Sequence, residues 1–213
     1  MAPGLLAGRV GVDRGLLSWS TAARGGLPAA AATLLAEHAV QVPEHPPLSL
    51  IPGFATATQG TSFTSDTWQR LGLALQESTM AIGRDALVDA GRLVTDRGCW
   101  PVLRAADQVL LAVRPSVRSV RAAQDAVQRV RQELGDLARV AALVIGNGPY
   151  PAGEVAKALQ LPLAGSLPYD RTAAAVLSDG AMSSMKTLRR SALLRAASGL
   201  AAELADTAEA VAG

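Results

Sequence analysis

The clearest pattern in the sequence is a set of short apolar runs that lack the alternation of a half-exposed strand. The runs are residues 86–89, 108–113, 140–145 and 163–168. Each ends at a polar residue, a glycine or a proline, where a strand commonly gives way to a turn. Continuous apolar runs of this length are typical of strands that are buried on both faces of a parallel sheet.

Helical patterns separate these runs. Ser116–Leu134 carries apolar residues at the three- and four-residue spacing of one helix face. These residues are Val120, Ala123, Val127, Val130 and Leu134. Pro151–Leu159 predicts a second helix, and Lys186–Val211 predicts a long terminal helix. Strands that alternate with helices in this way indicate β-α-β crossovers and a parallel sheet.

The first third of the chain is richer in turns. It predicts a helix over Ala29–Ala39, a short strand over Leu48–Gly53 and a helix over Ser65–Met80, with Asp66 as its cap or first-turn acid. The whole pattern predicts one α/β domain over residues 1–213, in which a mainly parallel sheet is flanked by helices.

Composition limits the chemistry. Hydrophobic residues make up 49% of the chain and aromatic residues 3%, so Ala, Val and Leu must build the core. The 20 basic and 18 acidic residues are too evenly balanced to indicate nucleic acid by themselves. Cys99 is the one cysteine, and His38 and His45 are the only histidines, which argues against a disulfide or a zinc centre. Met1–Gly15 fits neither a signal peptide nor a membrane span, so we expect a cytoplasmic protein.

The predicted strand ends are the places to look for a ligand, because open parallel sheets bind ligands beyond the carboxyl ends of their strands. Asp89 followed by Gly91 suits a carboxylate that holds Mg²⁺ through water beside a phosphate. The alternative is that Asp89 only caps the next segment. Asn147 would read a base edge with its amide, or would occupy a turn in an Asn-Gly-Pro corner.

From Asp85 to Gly180 the chain resembles the MinD/ParA family of partitioning and positioning ATPases. Four stretches in order carry the resemblance: residues 86–91, 106–115, 143–147 and 161–170. A short helix after the last stretch, around residues 174–180, is also similar to the family, and Leu6–Gly26 looks like the family's region after its second strand. Residues 85–213 match best, and residues 1–84 are divergent.

The resemblance implies a nucleotide site. Asp89 would be the Walker B acid that holds Mg²⁺ through water, and Gly91 would approach the terminal phosphate. Asn147 would read adenine, and Pro168 and Tyr169 would line the base pocket. The implied ligands are therefore ATP or ADP with Mg²⁺.

The sequence also departs from the family. Gly91 lies closer to Asp89 than the family's glycine lies to its aspartate, and Gly148 stands where the family often has arginine. No Gly-Lys pair occurs in the 213 residues, and Lys157 and Lys186 lie far downstream. A phosphate loop needs such a pair to contact the phosphates. We therefore expect a P-loop NTPase-like fold that lacks its amino-terminal strand and phosphate loop. Either the native protein starts upstream of Met1, or the chain is a degenerate scaffold.

The functional expectation follows from this resemblance. It implies an ATPase-family protein for positioning, partitioning or secretion-apparatus assembly, in which ATP held between two subunits controls dimerisation. As the chain stands, we expect no ATP hydrolysis. The alternative is a non-catalytic adaptor that self-associates or binds a protein partner through the family's dimer surface.

Basic residues on two predicted helices indicate further kinds of binding partner. Arg114, Arg118, Arg121 and Arg129 lie along the Ser116 helix with Asp125 among them, which indicates a solvated face or a stripe that faces DNA or a membrane. The terminal helix would pack on the sheet or would lie on a membrane as an amphipathic helix. Cys99, beside Trp100, is expected in the core. A homodimer or a protein partner is the main expectation.

Overall fold

The computed structural model describes residues 13–42, 47–92, 98–135, 139–179 and 185–212. Its contacts divide the chain into two compact units, Met1–Ala106 and Asp107–Gly213. Residues 6–12 of the resemblance to the family lie outside the described ranges. The expectation of a single domain over residues 1–213 stays a prediction.

The first unit is mainly helical. Its elements are α1 (Leu16–Ala22), α2 (Pro28–His38), β1 (Val40–Gln41), β2 (Ser49–Leu50), α3 (Ala57–Gly60), α4 (Ser65–Ile82) and α5 (Trp100–Ala105). Strands β1 and β2 pair antiparallel, with Val40 opposite Leu50. The predicted helix over residues 29–39 and the predicted strand over residues 48–53 are confirmed, although the strand itself is shorter.

Helix α4 shows how local sequence sets the bounds of an element. Thr64 caps its amino terminus, because the hydroxyl oxygen accepts a hydrogen bond from the backbone N–H of Thr67 at 3.3 Å. Asp66 is a first-turn acid and not the cap. Gly83 ends the helix in the left-handed conformation at φ 63°, which glycine adopts without a Cβ penalty.

The core of the first unit forms where α2 and α5 pack on α4 and α1 packs on α2. Trp19 is fully buried, and its indole N–H donates to the carbonyl oxygen of Ala31 at 2.9 Å. Phe54, Phe63 and Trp68 form a second contact group, with ring centroids 4.8 to 6.0 Å apart.

The second unit contains a three-stranded parallel sheet with flanking helices. Its elements are β3 (Val109–Val113), α6 (Val117–Leu134), β4 (Val140–Ile145), α7 (Ala152–Leu159), β5 (Leu163–Leu167), α8 (Arg171–Asp179), α9 (Met185–Arg189) and α10 (Ala192–Ala212). The strand order is β3-β4-β5, so β4 lies at the centre and is almost wholly buried. These strands, and the helices α6 and α7, confirm the alternation predicted from the sequence.

Helix α6 confirms the predicted apolar face. Ser116 caps it, since its hydroxyl accepts from the N–H of Ser119. Ala123, Val127 and Val130 are buried at the spacing of one helix face. The burial of that face, on β3 and α7, holds the helix in place.

The predicted strand over residues 86–89 is wrong. Residues 85–92 form no strand, and Leu87 is 97% exposed. A strand exists only through the ladder of hydrogen bonds that it makes with a neighbour. No described strand of the first unit pairs with this run, which is only four residues long.

The single long terminal helix is also a wrong prediction, because the segment breaks between α9 and α10. The Ser191 hydroxyl accepts from the N–H of Leu194 at 3.1 Å and so begins a new helix. Helix α10 packs on β5, where Leu200 Cδ1 lies 3.1 Å from the position that a Cβ of Gly165 would occupy. Among the described helices, none is long and apolar enough to cross a membrane.

Candidate functional site

Three loops follow the carboxyl ends of β3, β4 and β5 and lie side by side. The N–H of Gly146 donates to the carbonyl oxygen of Leu167 at 2.8 Å, which joins the second loop to the end of β5. Gly146 has φ 88°, and a Cβ there would lie 4.0 Å from Cβ of Tyr169. On the other side, the backbone of Gly148 meets Pro115. The loops therefore form one continuous edge, where open parallel sheets bind ligands.

The contact between Gly148 and Pro115 explains why this position is glycine. A Cβ at Gly148 would overlap the carbonyl oxygen of Pro115 and would lie 2.7 Å from its Cγ. No side chain fits unless one loop moves. The arginine that the resemblance would place here would force the two loops apart.

The proposed base-binding residues lie on neighbouring loops of this edge. Asn147 is exposed between Gly146 and Gly148, Pro168 is half-buried, and Tyr169 is 65% exposed. An amide and an aromatic ring on adjacent loops would offer hydrogen bonds to a base edge and a face for stacking. The role of these residues in binding a base stays a prediction.

Asp89 and Gly91 belong to the first unit. Asp89 is exposed, and its Oδ1 accepts from the N–H of Gly91 at 2.9 Å. Gly91 has φ 68°, so the pair forms a local turn. The N–H that would approach a phosphate is thus bonded to the chain's own carboxylate. This local hydrogen bond is of the kind expected if Asp89 only caps the next segment, and the role of Asp89 and Gly91 at a phosphate stays a prediction. No hydrolytic step follows from it.

Cys99 lies close to the same turn. Its thiol is buried and lies 4.0 Å from the carbonyl oxygen of Ala90. Burial raises the pKa of the Cys99 thiol, and the negative charge of Asp89 raises it further, against a backbone hydrogen bond that lowers it. The thiol is therefore protonated at neutral pH, and the expected place of Cys99 and Trp100 in the core is confirmed.

Sequence reasoning missed two features of the second unit. Asp170 caps α8, because its Oδ1 accepts from the N–H of Ala173 at 3.0 Å. Val117 and Tyr150 follow directly after strand-end loops and expose 59% and 41% of their side chains at a groove between α6 and α7. An apolar residue just after a proline turn is the sequence signal that would have pointed to the groove.

Solved structures of low sequence identity share this architecture. A ParA family ATPase from Chlorobium tepidum TLS superposes with a TM-score of 0.65 at 19% identity, covering 88% of this chain and 75% of that chain. The MinD cell division protein of Aquifex aeolicus superposes with a TM-score of 0.70 at 16% identity, covering 94% of this chain and 78% of that chain. The chain has the fold of MinD and ParA ATPases.

The MinD/ParA fold confirms the resemblance seen in the four sequence stretches. No protein-family model matches the sequence, and no curated protein matches it. At 16 to 19% identity, the similarity establishes the fold alone. The α/β architecture with a parallel sheet and flanking helices is therefore shared with the MinD/ParA structures, and function has to be argued from the site.

Proposed function

We propose that this chain is a MinD/ParA-like protein for intracellular positioning, partitioning or secretion-apparatus assembly, and that as it stands it does not hydrolyse ATP. The fold similarity over most of the chain is the observation that carries the proposal. The 213 residues contain no Gly-Lys pair, and the N–H of Gly91 is bonded to Asp89. Hydrolysis needs a lysine and backbone amides around the phosphates, so both features support the loss of turnover.

The ligand proposed for the edge is the adenine base of ATP or ADP, with Mg²⁺ at the phosphates in a family member that has the phosphate loop. Asn147 would bond the base edge, and Tyr169 and Pro168 would flank the ring. Base contacts alone give weak binding, because the phosphates carry most of the charge that a nucleotide presents to a protein. We therefore expect affinity for ATP or ADP weaker than micromolar.

Calorimetric titration of the 213-residue chain with ATP and ADP in the presence of Mg²⁺ tests this. The expected result is no binding of micromolar strength. The informative variant is Asn147→Ala, with Gln128→Ala on the exposed side of α6 as its control. Micromolar binding that Asn147→Ala abolishes would place a working nucleotide site here and would contradict the proposed loss. In an ATPase assay, turnover that Asp89→Asn removes would restore the interpretation of the chain as an enzyme.

A second candidate function is a non-catalytic adaptor that self-associates or binds a protein partner through the family's dimer surface. Its support is the exposure of Val117 and Tyr150 next to the strand-end loops, in a sequence that contains no Gly-Lys pair. Exposed apolar side chains grouped beside a groove favour an interaction surface. This candidate predicts association that is independent of nucleotide. A protein that sediments as a monomer at every concentration and carries no stable partner would contradict it.

A further inference from the structure

The groove between α6 and α7 is lined mostly by apolar side chains. It has a volume of about 230 Å³. Val120 and Val155 line its floor, and Val117 and Tyr150 stand exposed at its mouth. At the other end the side-chain amide of Gln124 donates to the carbonyl oxygen of Ala158 at 3.2 Å and joins the two helices. This hydrogen bond holds α6 and α7 together at that end of the groove.

The two walls of the groove carry opposite charges. Arg121 lines it from α6, and Glu154 lines it from α7. Both side chains are exposed. The structure records no ion pair for either residue with any part of the chain that it describes. An apolar mouth with an arginine on one wall and a glutamate on the other offers a partner two unlike charges.

We propose that this groove is the docking surface for a second copy of the same chain. In a two-fold symmetric dimer, the same patch meets itself, so a residue on one wall faces its counterpart's opposite wall. Arg121 of one copy would lie against Glu154 of the other copy, and Glu154 of the first copy would lie against Arg121 of the second. Val117 and Tyr150 would be buried at the centre, where aromatic residues are common in interfaces. The inference rests on the self-association of the adaptor candidate and assigns that contact to this groove.

The self-complementary charge pattern is what favours a second copy over an unrelated protein. A groove with walls of one sign would select an oppositely charged partner and would repel its own copy. In this groove, a two-fold rotation of the patch brings Arg121 of one copy to Glu154 of the other copy, so opposite charges meet. This contact needs neither a nucleotide nor the predicted base-binding residues Asn147, Pro168 and Tyr169.

Charge reversal tests the proposal by sedimentation of the full 213-residue chain over a range of concentrations, without nucleotide. We expect the wild-type chain to dimerise. Arg121→Glu alone, and Glu154→Arg alone, each place like charges together at two points and are expected to weaken dimerisation on the order of tenfold or more. Arg118→Glu is the matched control, since it makes the same charge change on an exposed position of α6 that does not line the groove.

Mixing the two single variants is the decisive measurement. The Arg121→Glu variant has a glutamate on both walls of its groove, and the Glu154→Arg variant has an arginine on both walls. Each variant therefore repels its own copy and attracts the other variant, so a heterodimer of near wild-type strength is expected in the mixture. Circular dichroism checks that each variant keeps its fold. If a variant loses its fold, Val117→Ser, at the exposed groove mouth, replaces it and is expected to weaken the dimer.

Each outcome counts for or against the groove. A wild-type monomer at all concentrations overturns it, as does a mixture that stays monomeric. A dimer that Arg118→Glu weakens as much as Arg121→Glu overturns the groove but leaves self-association standing. The dimer could also form only with ATP and be unaffected by Arg121→Glu and by Glu154→Arg. That result overturns the groove proposal and favours the ATP-dependent dimer of the family. The nucleotide titration is independent of all of these results.

Discussion

The close contact between Gly148 and Pro115, on two loops of the candidate site, allows the effect of a substitution to be worked out from the structure. Gly148 is exposed, yet a Cβ at this position would overlap the carbonyl oxygen of Pro115 and would lie 2.7 Å from Cγ of the same residue. The obstructing atoms belong to a backbone and a proline ring, which cannot rotate away as a flexible side chain does. Gly148→Ala must therefore push the loop after β4 away from the loop after β3.

The size of the effect follows from the overlap. Forcing an extra methyl group into a packed place costs about 1–3 kcal/mol. For a chain of this size, 1 kcal/mol shifts the midpoint of thermal unfolding by roughly 2–4 °C. We expect Gly148→Ala to lower the midpoint by roughly 2–12 °C, which is the product of those two ranges. Gly148→Arg, the residue that the resemblance would place here, should cost at least as much.

The assay is thermal unfolding followed by circular dichroism, with Gly199→Ala as the matched control. Gly199 lies in the interior of α10, and a Cβ there meets nothing within 4 Å. Since alanine favours a helix over glycine by about 0.5–1 kcal/mol, this control should raise the midpoint. The same substitution thus has opposite signs at the two positions. A Gly148→Ala variant as stable as the wild-type chain would refute the packing argument.

Three further predictions test other parts of the structure. Trp19→Phe removes the indole donor to the Ala31 carbonyl and should cost about 1–3 kcal/mol in urea unfolding, with little change of slope; a cost near zero would contradict the buried bond. Asp170→Ala removes the α8 cap and should cost about 0.5–2 kcal/mol, whereas Asp170→Asn should retain most of the stability. Because burial raises the pKa of Cys99, the folded chain holds that proton longer than the unfolded chain. Stability should therefore fall as pH rises above the ordinary thiol pKa, and Cys99→Ala should remove that slope.

The strands of the second unit were predictable because their surroundings impose one simple pattern. Strand β4 lies between two neighbours and under helices, so nearly every residue of Val140–Ile145 is buried and apolar. Helix α6 faces the core with Ala123, Val127 and Val130, and it exposes Arg118 and Arg121 to solvent. In both elements, the pattern of apolar and polar residues within one segment is enough to show which side chains are buried.

The run 86–89 was not predictable in the same way. Its apolar residues resemble those of β5, and the difference lies in what stands beside each segment. Leu163–Leu167 pairs with β4, whereas no described strand pairs with residues 86–89. Pairing is set by distant segments, so the pattern of one run cannot reveal it.

Part of the candidate site was predictable from the sequence. Asn147, Pro168 and Tyr169 lie on adjacent loops, because the strands before them are parallel neighbours. The role of Gly148 was hidden, since it depends on Pro115, which follows a different strand. The turn between Asp89 and Gly91 depends on a hydrogen bond that spacing alone does not distinguish from a phosphate contact.

The same close approach connects the candidate site to the proposed docking groove. Pro115 precedes α6 by two residues and Gly148 precedes α7 by four, so their contact fixes the mouth of the groove as well as the position of Asn147. A methyl group at Gly148 should therefore separate Val117 from Tyr150 and weaken self-association. We expect this in sedimentation at a temperature where Gly148→Ala and Gly199→Ala are both fully folded, with only the first variant affected. If both dimerise like the wild-type chain, the mouth of the groove does not depend on that contact, and the dimer surface has to be sought away from the strand-end loops.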